Sequence, residues 1–212
     1  MTKLLFVQAS PRKANSKSIL LAQTYLTALQ VANPDLDVDI LEVWDADLPA
    51  FDGDKAAAKM NKVLRQDDDA IQQLAWDQIV EIAQRFIAAD RYLFAVPMWN
   101  GGIPYRLKHY IDLIHQPGLL WGIDPTTGYY GLLENKHATV ALTSGVFGSH
   151  RDDPAFGVDH HASYLRSWLY QAGVTDIDEI KLQPSMITPD PAAALEEARK
   201  NAIDLAHAHG RI

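Results

Sequence analysis

The chain has no cysteine. That excludes a disulfide framework, a thiolate nucleophile and any cysteine-ligated metal, so redox chemistry would have to come from a bound cofactor. Glycine is missing from the start, with none before Gly53. The first strand-to-helix turn therefore cannot carry the Gly-x-Gly-x-x-Gly of a dinucleotide fold. Basic charge is also short: 19 Lys and Arg stand against 27 Asp and Glu, a net charge of −8. Such a balance leaves no footprint for a nucleic-acid backbone, and an anionic membrane is an equally poor partner. Long apolar runs are absent too. The run over residues 92–99 is interrupted by Pro97, far below the ~20 residues that span a bilayer. The N-terminal apolar stretch ends at Gln8, too early for a signal peptide. These absences predict a soluble, cytoplasmic protein with no nucleic-acid partner and no membrane insertion, forming one domain over residues 1–212.

What is present is an alternation of short apolar runs with amphipathic segments along the whole length, the pattern of a parallel sheet covered by helices on both faces. Five strands are expected, at residues 4–8, 38–43, 92–96, 138–143 and within 177–182. Asp39 and Glu42 interrupt the second and put it nearer an edge. The firmest helical spacing runs through Ile71, Leu74, Ala75, Ile79, Ile82, Ala83, Phe86 and Ile87. Asp67 to Asp69 precede that helix as capping residues rather than metal ligands. Gly173 suits a helix C-cap. Two connections, 44–69 and 116–137, exceed what such a domain needs and are expected to serve as lid or subunit-contact elements.

In a doubly wound sheet the ligand binds outside the strand carboxyl ends, at the switch point beside strand one. Three loops should meet there. The first carries Ser10, Asn15, Ser16, Lys17 and Ser18 at a helix start. Its hydroxyls lie where unpaired N–H groups and the positive dipole end favour an anion. One terminal phosphate with several acceptor oxygens suits it, which points to a mononucleotide such as FMN. The second loop holds Met98, Trp99, Asn100 and Gly101: an apolar wall and polar groups for a flat ring, or simply a tight turn. The third holds Ser144, Gly145, Val146 and Phe147, whose main-chain donors suit the N1–C2=O edge of a flavin, or which merely end a strand.

Residues 10–18, the Pro-Met-Trp-Asn of 97–100 with the Ile-Pro-x-x-Leu-Lys of 103–108, residues 131–145 and residues 173–176 together resemble the FMN-dependent NADH azoreductase and quinone reductase family. The resemblance covers nearly the whole chain. It implies a flavodoxin-like sheet of order 2-1-3-4-5 and a homodimer with one FMN per subunit in pockets built from both chains. It also implies two-electron, ping-pong reduction of quinones and azo compounds by NADH or NADPH, with hydride transfer on the flavin and no catalytic side chain. FMN contacts would fall on Ser10, Ser16, Lys17, Ser18, Met98, Trp99, Asn100, Gly101, Ser144, Gly145, Val146 and Phe147. Gly101 departs from the family, where an aromatic residue is frequent, and so does Val146-Phe147, where glycine is more usual. A small aromatic acceptor would meet Phe51, Trp121, Tyr129, Tyr130 and His150, with hairpin packing or a subunit contact as the competing role for the insertion aromatics. A flavodoxin-like electron carrier and a non-redox binding protein remain as alternative readings. The histidines show no metal-ligand spacing: His160-His161 follow Asp159 at a helix start, and His207 and His209 sit at a helix end.

Overall fold

Residues Leu4 to Val7 are all buried in β1 (Lys3–Gln8), Leu4 and Phe6 in one layer and Leu5 and Val7 in the other. A strand covered on both faces needs no polar alternation, which is why this run reads as continuously apolar. The computed structural model describes residues 1–148 and 153–212. After β1 come α1 (Lys17–Ala32), β2 (Asp37–Glu42), α2 (Gly53–Leu64), α3 (Ala70–Ile87), β3 (Arg91–Pro97) and α4 (Tyr105–Ile114). A hairpin of β4 (Trp121–Asp124) and β5 (Gly128–Gly131) follows, then β6 (His137–Thr143), α5 (Ala162–Ala172), β7 (Asp176–Leu182) and α6 (Pro191–His209). The five-stranded sheet is parallel with order β2-β1-β3-β6-β7. With the hairpin outside it, this is the expected order 2-1-3-4-5.

Helices α1 and α6 cover one face through Leu21, Tyr25, Leu29, Ala198 and Ala202, and α3, α4 and α5 cover the other through Phe86, Ile111 and Trp168. β2 lies at an edge, where Arg85 of α3 grips its Asp39 at 2.6 Å. That guanidinium holds the Asp39 carboxyl below the usual range. Asp69 caps α3 with a full capping box, and Asp68 bonds Lys62 and Asn61, so the acidic run serves structure. Among the described residues, no helix is long and apolar enough to cross a membrane.

The long connections are more structured than their sequence suggests. Asp52 accepts the Lys55 N–H and starts α2, which buries little beyond Ala58 against Trp76 and Ile79 of α3. Such a narrow stripe leaves only a faint helical period. In the second connection, Asp124 accepts the N–H groups of Thr126 and Thr127 and turns the hairpin. The expected apolar face of α3 is also shorter than its spacing: Ile71 and Leu74 are 62% and 67% exposed. There the helix runs beside α2, and only from Ala75 onward does it bury its stripe.

Candidate functional site

Ser16 starts α1. Its Oγ accepts the Ile19 N–H at 3.4 Å and lies 3.0 Å from the Ser18 Oγ, and both serines are buried. Capping consumes the Ile19 donor and leaves the N–H groups of Lys17 and Ser18 at the positive end of the helix. Beside them Ser10, Arg12, Ser16 and Lys17 line a cavity of about 210 Å³. Its other walls are Pro97, Met98 and Trp99 after β3, Thr143, Ser144 and Gly145 at the end of β6, and Ser185 and Met186 after β7. The three expected loops therefore do meet. Ser18 stands behind Ser16 with no exposed surface, and Lys17 Nζ donates to the Ser185 carbonyl at 2.9 Å. Lys13 is committed elsewhere, 2.5 Å from Asp45. The lining contains hydroxyls, two cations and no carboxylate, a donor set that fits a phosphate monoester such as that of FMN. Arg12, Ser185 and Met186 join the site without a role given to them in the sequence, and Thr143 joins as the residue that opens the third loop; of the first three only Arg12, inside the serine loop, carried a readable signal.

The wall after β3 is a two-residue turn. Trp99 and Gly102 exchange N–H···O bonds at 2.8 and 2.9 Å, with φ of 50° at Asn100 and 82° at Gly101. Positive φ at both central residues is the type I′ geometry, for which Asn-Gly is the preferred pair. A Cβ at Gly101 would lie 3.1 Å from the Val158 carbonyl oxygen, so the departure at this position follows from backbone conformation and close approach. Trp99 leans on Trp44 at 5.5 Å between ring centroids, and Trp44 in turn meets Tyr105 at 5.2 Å and donates its indole N–H to Ala9 O at 3.0 Å. Arg106 of α4 holds the Trp44 loop by donating to Val43 O at 2.8 Å and Ala46 O at 2.6 Å. Trp44 was missed. Its signal was an aromatic side chain just past the C-terminal end of β2, at the ligand edge of the sheet.

In the third loop the Ser144 N–H already donates to Leu182 O at 3.2 Å, and its hydroxyl donates to Phe147 O. The expected Ser144 main-chain donor is thus taken by β7, and Gly145 and Val146 are the donors this loop can offer. Val146 is 39% exposed and Phe147 is half-buried. His150 lies outside the described residues. Phe51 lines a groove of about 940 Å³ with Ile103, Tyr105, His109, His160 and Tyr164, and the groove borders Gly102 of the Trp99 turn. Trp121 is a core residue instead, 7% exposed, donating its indole N–H to His115 O at 3.2 Å. Tyr129 packs edge-on against it at 5.1 Å, and Tyr130 is 51% exposed. None of these three lines either cavity.

The histidine groups stand at the helix ends read from the sequence, before α5 and in the last turn of α6. Asp159, not a histidine, caps α5, accepting from the N–H groups of His161 and Ala162. At the opposite sheet edge, His137 Nε2 and His209 Nε2 each lie 2.9 Å from the same Asp178 carboxylate oxygen. Arg91 donates to His137 Nδ1 at 2.9 Å, which leaves the ring hydrogen on Nε2, directed at Asp178. A metal needs that Nε2 lone pair, so the cluster is a hydrogen-bonded tie; it fastens α6 to β6 and β7, with Tyr25 at 2.7 Å from His209 Nδ1.

A parallel sheet of this order with a ligand cavity at the strand ends defines a flavodoxin-like α/β protein, and residues 2–205 match the family described by that fold. An FMN-dependent NADH:quinone oxidoreductase of Ruegeria pomeroyi is 50% identical over 198 residues, covering 93% of this chain and 97% of its own. A protein of the same name from Desulfotalea psychrophila is 37% identical over 207 residues, 97% of each chain. The chain belongs to this family of FMN-dependent NADH:quinone oxidoreductases. An azoreductase of Bacillus anthracis superposes with a TM-score of 0.86 at 25% identity, covering 98% of this chain and 100% of that one.

Proposed function

We propose that the chain is an FMN-dependent NAD(P)H oxidoreductase that reduces quinones and azo compounds by two electrons in a ping-pong cycle. The observation that carries this reading is the meeting of the serine cradle, the Trp99 turn and the Ser144 loop around one carboxylate-free cavity. When bound, FMN supplies the hydride acceptor and donor; the protein orients and tunes it. Ser10, Ser16 and Lys17, with Arg12 and the N–H groups of Lys17 and Ser18, hold the phosphate. Met98, Trp99, Asn100 and Gly101 would wall the ring, and Gly145, Val146 and Phe147 would border its edge, with Ser144 holding the loop through its bonds to Leu182 O, Phe147 O and the Ser185 N–H. No acid or base side chain is required, since the chain's own residues would serve to hold and orient the cofactor and the molecules stacked on it.

The chain acts as a cytoplasmic homodimer in this reading. The groove of Phe51, Ile103, Tyr105 and Tyr164 borders Gly102 of the flavin wall, so a second copy seated there would complete the acceptor site. The exposed Tyr129 and Tyr130 of the hairpin are offered to the partner or the acceptor, and α2 with the hairpin form the lid and contact elements of a single domain. A one-partner electron carrier has no use for that groove. The test is anaerobic: FMN-loaded protein should be bleached by NADH and recover its yellow colour on adding a quinone. Bleaching that fails with either nicotinamide leaves the electron carrier standing and removes the reductase. Mass measurement by light scattering tests the dimer, and a monomer at micromolar concentration overturns that part.

A further inference from the structure

Residues Val158 to His161 touch the flavin wall at both of its ends. At the near end, the His161 Nε2 lies 3.1 Å from the carbonyl oxygen of Val96, the last buried residue of β3 before Pro97 and Met98. At the far end, the His160 N–H donates to Gly101 O at 2.9 Å, and Val158 O stands 3.1 Å from the place a Gly101 Cβ would take. The segment is itself pinned to α5, because the Asp159 carboxylate accepts the N–H groups of His161 at 2.9 Å and Ala162 at 2.8 Å. His161 has no exposed surface. A carbonyl partner requires a hydrogen on Nε2, and burial pushes the ring pKa down to about 4, so the side chain is neutral with Nδ1 bare. A histidine with one buried nitrogen left unpartnered is a costly way to fill space. An apolar residue of similar size would fill it without that cost, but it would leave the Val96 carbonyl unmet.

We propose that His161 is a positioning residue for the flavin wall: its Nε2–H fixes the Val96 carbonyl while the His160 N–H fixes Gly101, so that the start of α5 sets the path of residues 97–101. This rests on the FMN reading of the cavity. The donor position is what matters, and Gln places an N–H near the reach of Nε2 whereas Phe keeps only bulk.

The experiment compares FMN titrations and bound-flavin visible spectra of the wild type, His161→Phe, His161→Gln and Asp159→Ala. Asp159→Ala loosens the segment without opening the core and guards against a His161→Phe protein that does not fold. The expected result is an FMN dissociation constant raised about tenfold or more in His161→Phe, with a shifted flavin absorption band and an intact far-ultraviolet spectrum. His161→Gln should return to within about threefold of wild type, and Asp159→Ala should lie between them. Wild-type affinity and an unshifted band in both His161→Phe and Asp159→Ala overturn the proposal; should His161→Phe not fold, the same result in Asp159→Ala alone overturns it. A wild-type protein that binds no FMN would instead remove the cofactor reading on which it stands.

Discussion

Ser16 carries two duties that can be separated by mutation. Its Oγ accepts the Ile19 N–H as a helix cap and also faces the cavity, while the Ser18 hydroxyl bonds the Ser16 hydroxyl from behind. Ser16→Ala should therefore lower the stability of the flavin-free protein by about 0.5–2 kcal/mol. It should also weaken FMN binding by about 1–3 kcal/mol, the range for hydrogen bonds to a charged group. Ser18→Ala should weaken FMN binding through the disturbed Ser16 hydroxyl while leaving capping in place. Paired thermal melts and flavin titrations separate the two effects, and equal stability losses in both variants would show that the pair is only a cap. Gly101 is a second residue whose role is steric. Ala there meets a φ of 82° and the Val158 carbonyl, so Gly101→Ala should cost about 1 kcal/mol or more, read from denaturant midpoints. A neutral result would mean that the turn relaxes freely.

Among the elements, the Trp44 loop depends on α4. Two of the Arg106 guanidinium nitrogens donate to the loop carbonyls of Val43 and Ala46, and His109 Nε2 donates to Pro49 O at 2.8 Å. Arg106→Met should strand those carbonyls, cost about 1–3 kcal/mol, and raise hydrogen exchange over residues 43–49 before the sheet responds. Unchanged protection there would mean that the loop is held by Trp44 alone. The same element shows where sequence is readable and where it is not. β1 and β3 were legible because burial on both faces writes an unbroken apolar run, β6 because only Thr139 interrupts its own, and the Asp69 cap because it is local. α2 was not, since it buries little more than Ala58, and neither was the reach of Arg106 across 60 residues to Ala46, a tertiary fact with no local pattern. At the candidate site the cradle and the Trp99 turn could be read from hydroxyls and an Asn-Gly pair. Trp121 left substrate contact and hairpin packing both open, because an aromatic in an insertion reads the same whether it faces a ligand or the core.

At the scale of the whole molecule, burial of His115, His137 and His161 among the described residues couples stability to pH. Burial lowers the pKa of His115 and His161 to about 4 and lowers that of His137 as well, against an ordinary value of 6.5. Unfolding restores ordinary titration, so below pH 6.5 the unfolded chain binds protons the folded chain refuses. Stability from these groups is fully present above pH 6.5 and falls as pH drops towards 4, with a slope approaching about 1.4 kcal/mol per pH unit for each group engaged. Melting temperatures between pH 7 and pH 5 should decline accordingly, and a flat profile would show that the rings protonate within the fold. The central claim is that the carboxylate-free cavity at the start of α1 anchors a flavin by its phosphate. Parallel titration of the flavin-free protein with FMN and with riboflavin, which has the ring but no phosphate, tests it most directly. The account predicts one FMN per chain and riboflavin binding weaker by about two orders of magnitude or more, the worth of several charge-assisted hydrogen bonds. Equal affinity for the two flavins, or binding of neither, would contradict it.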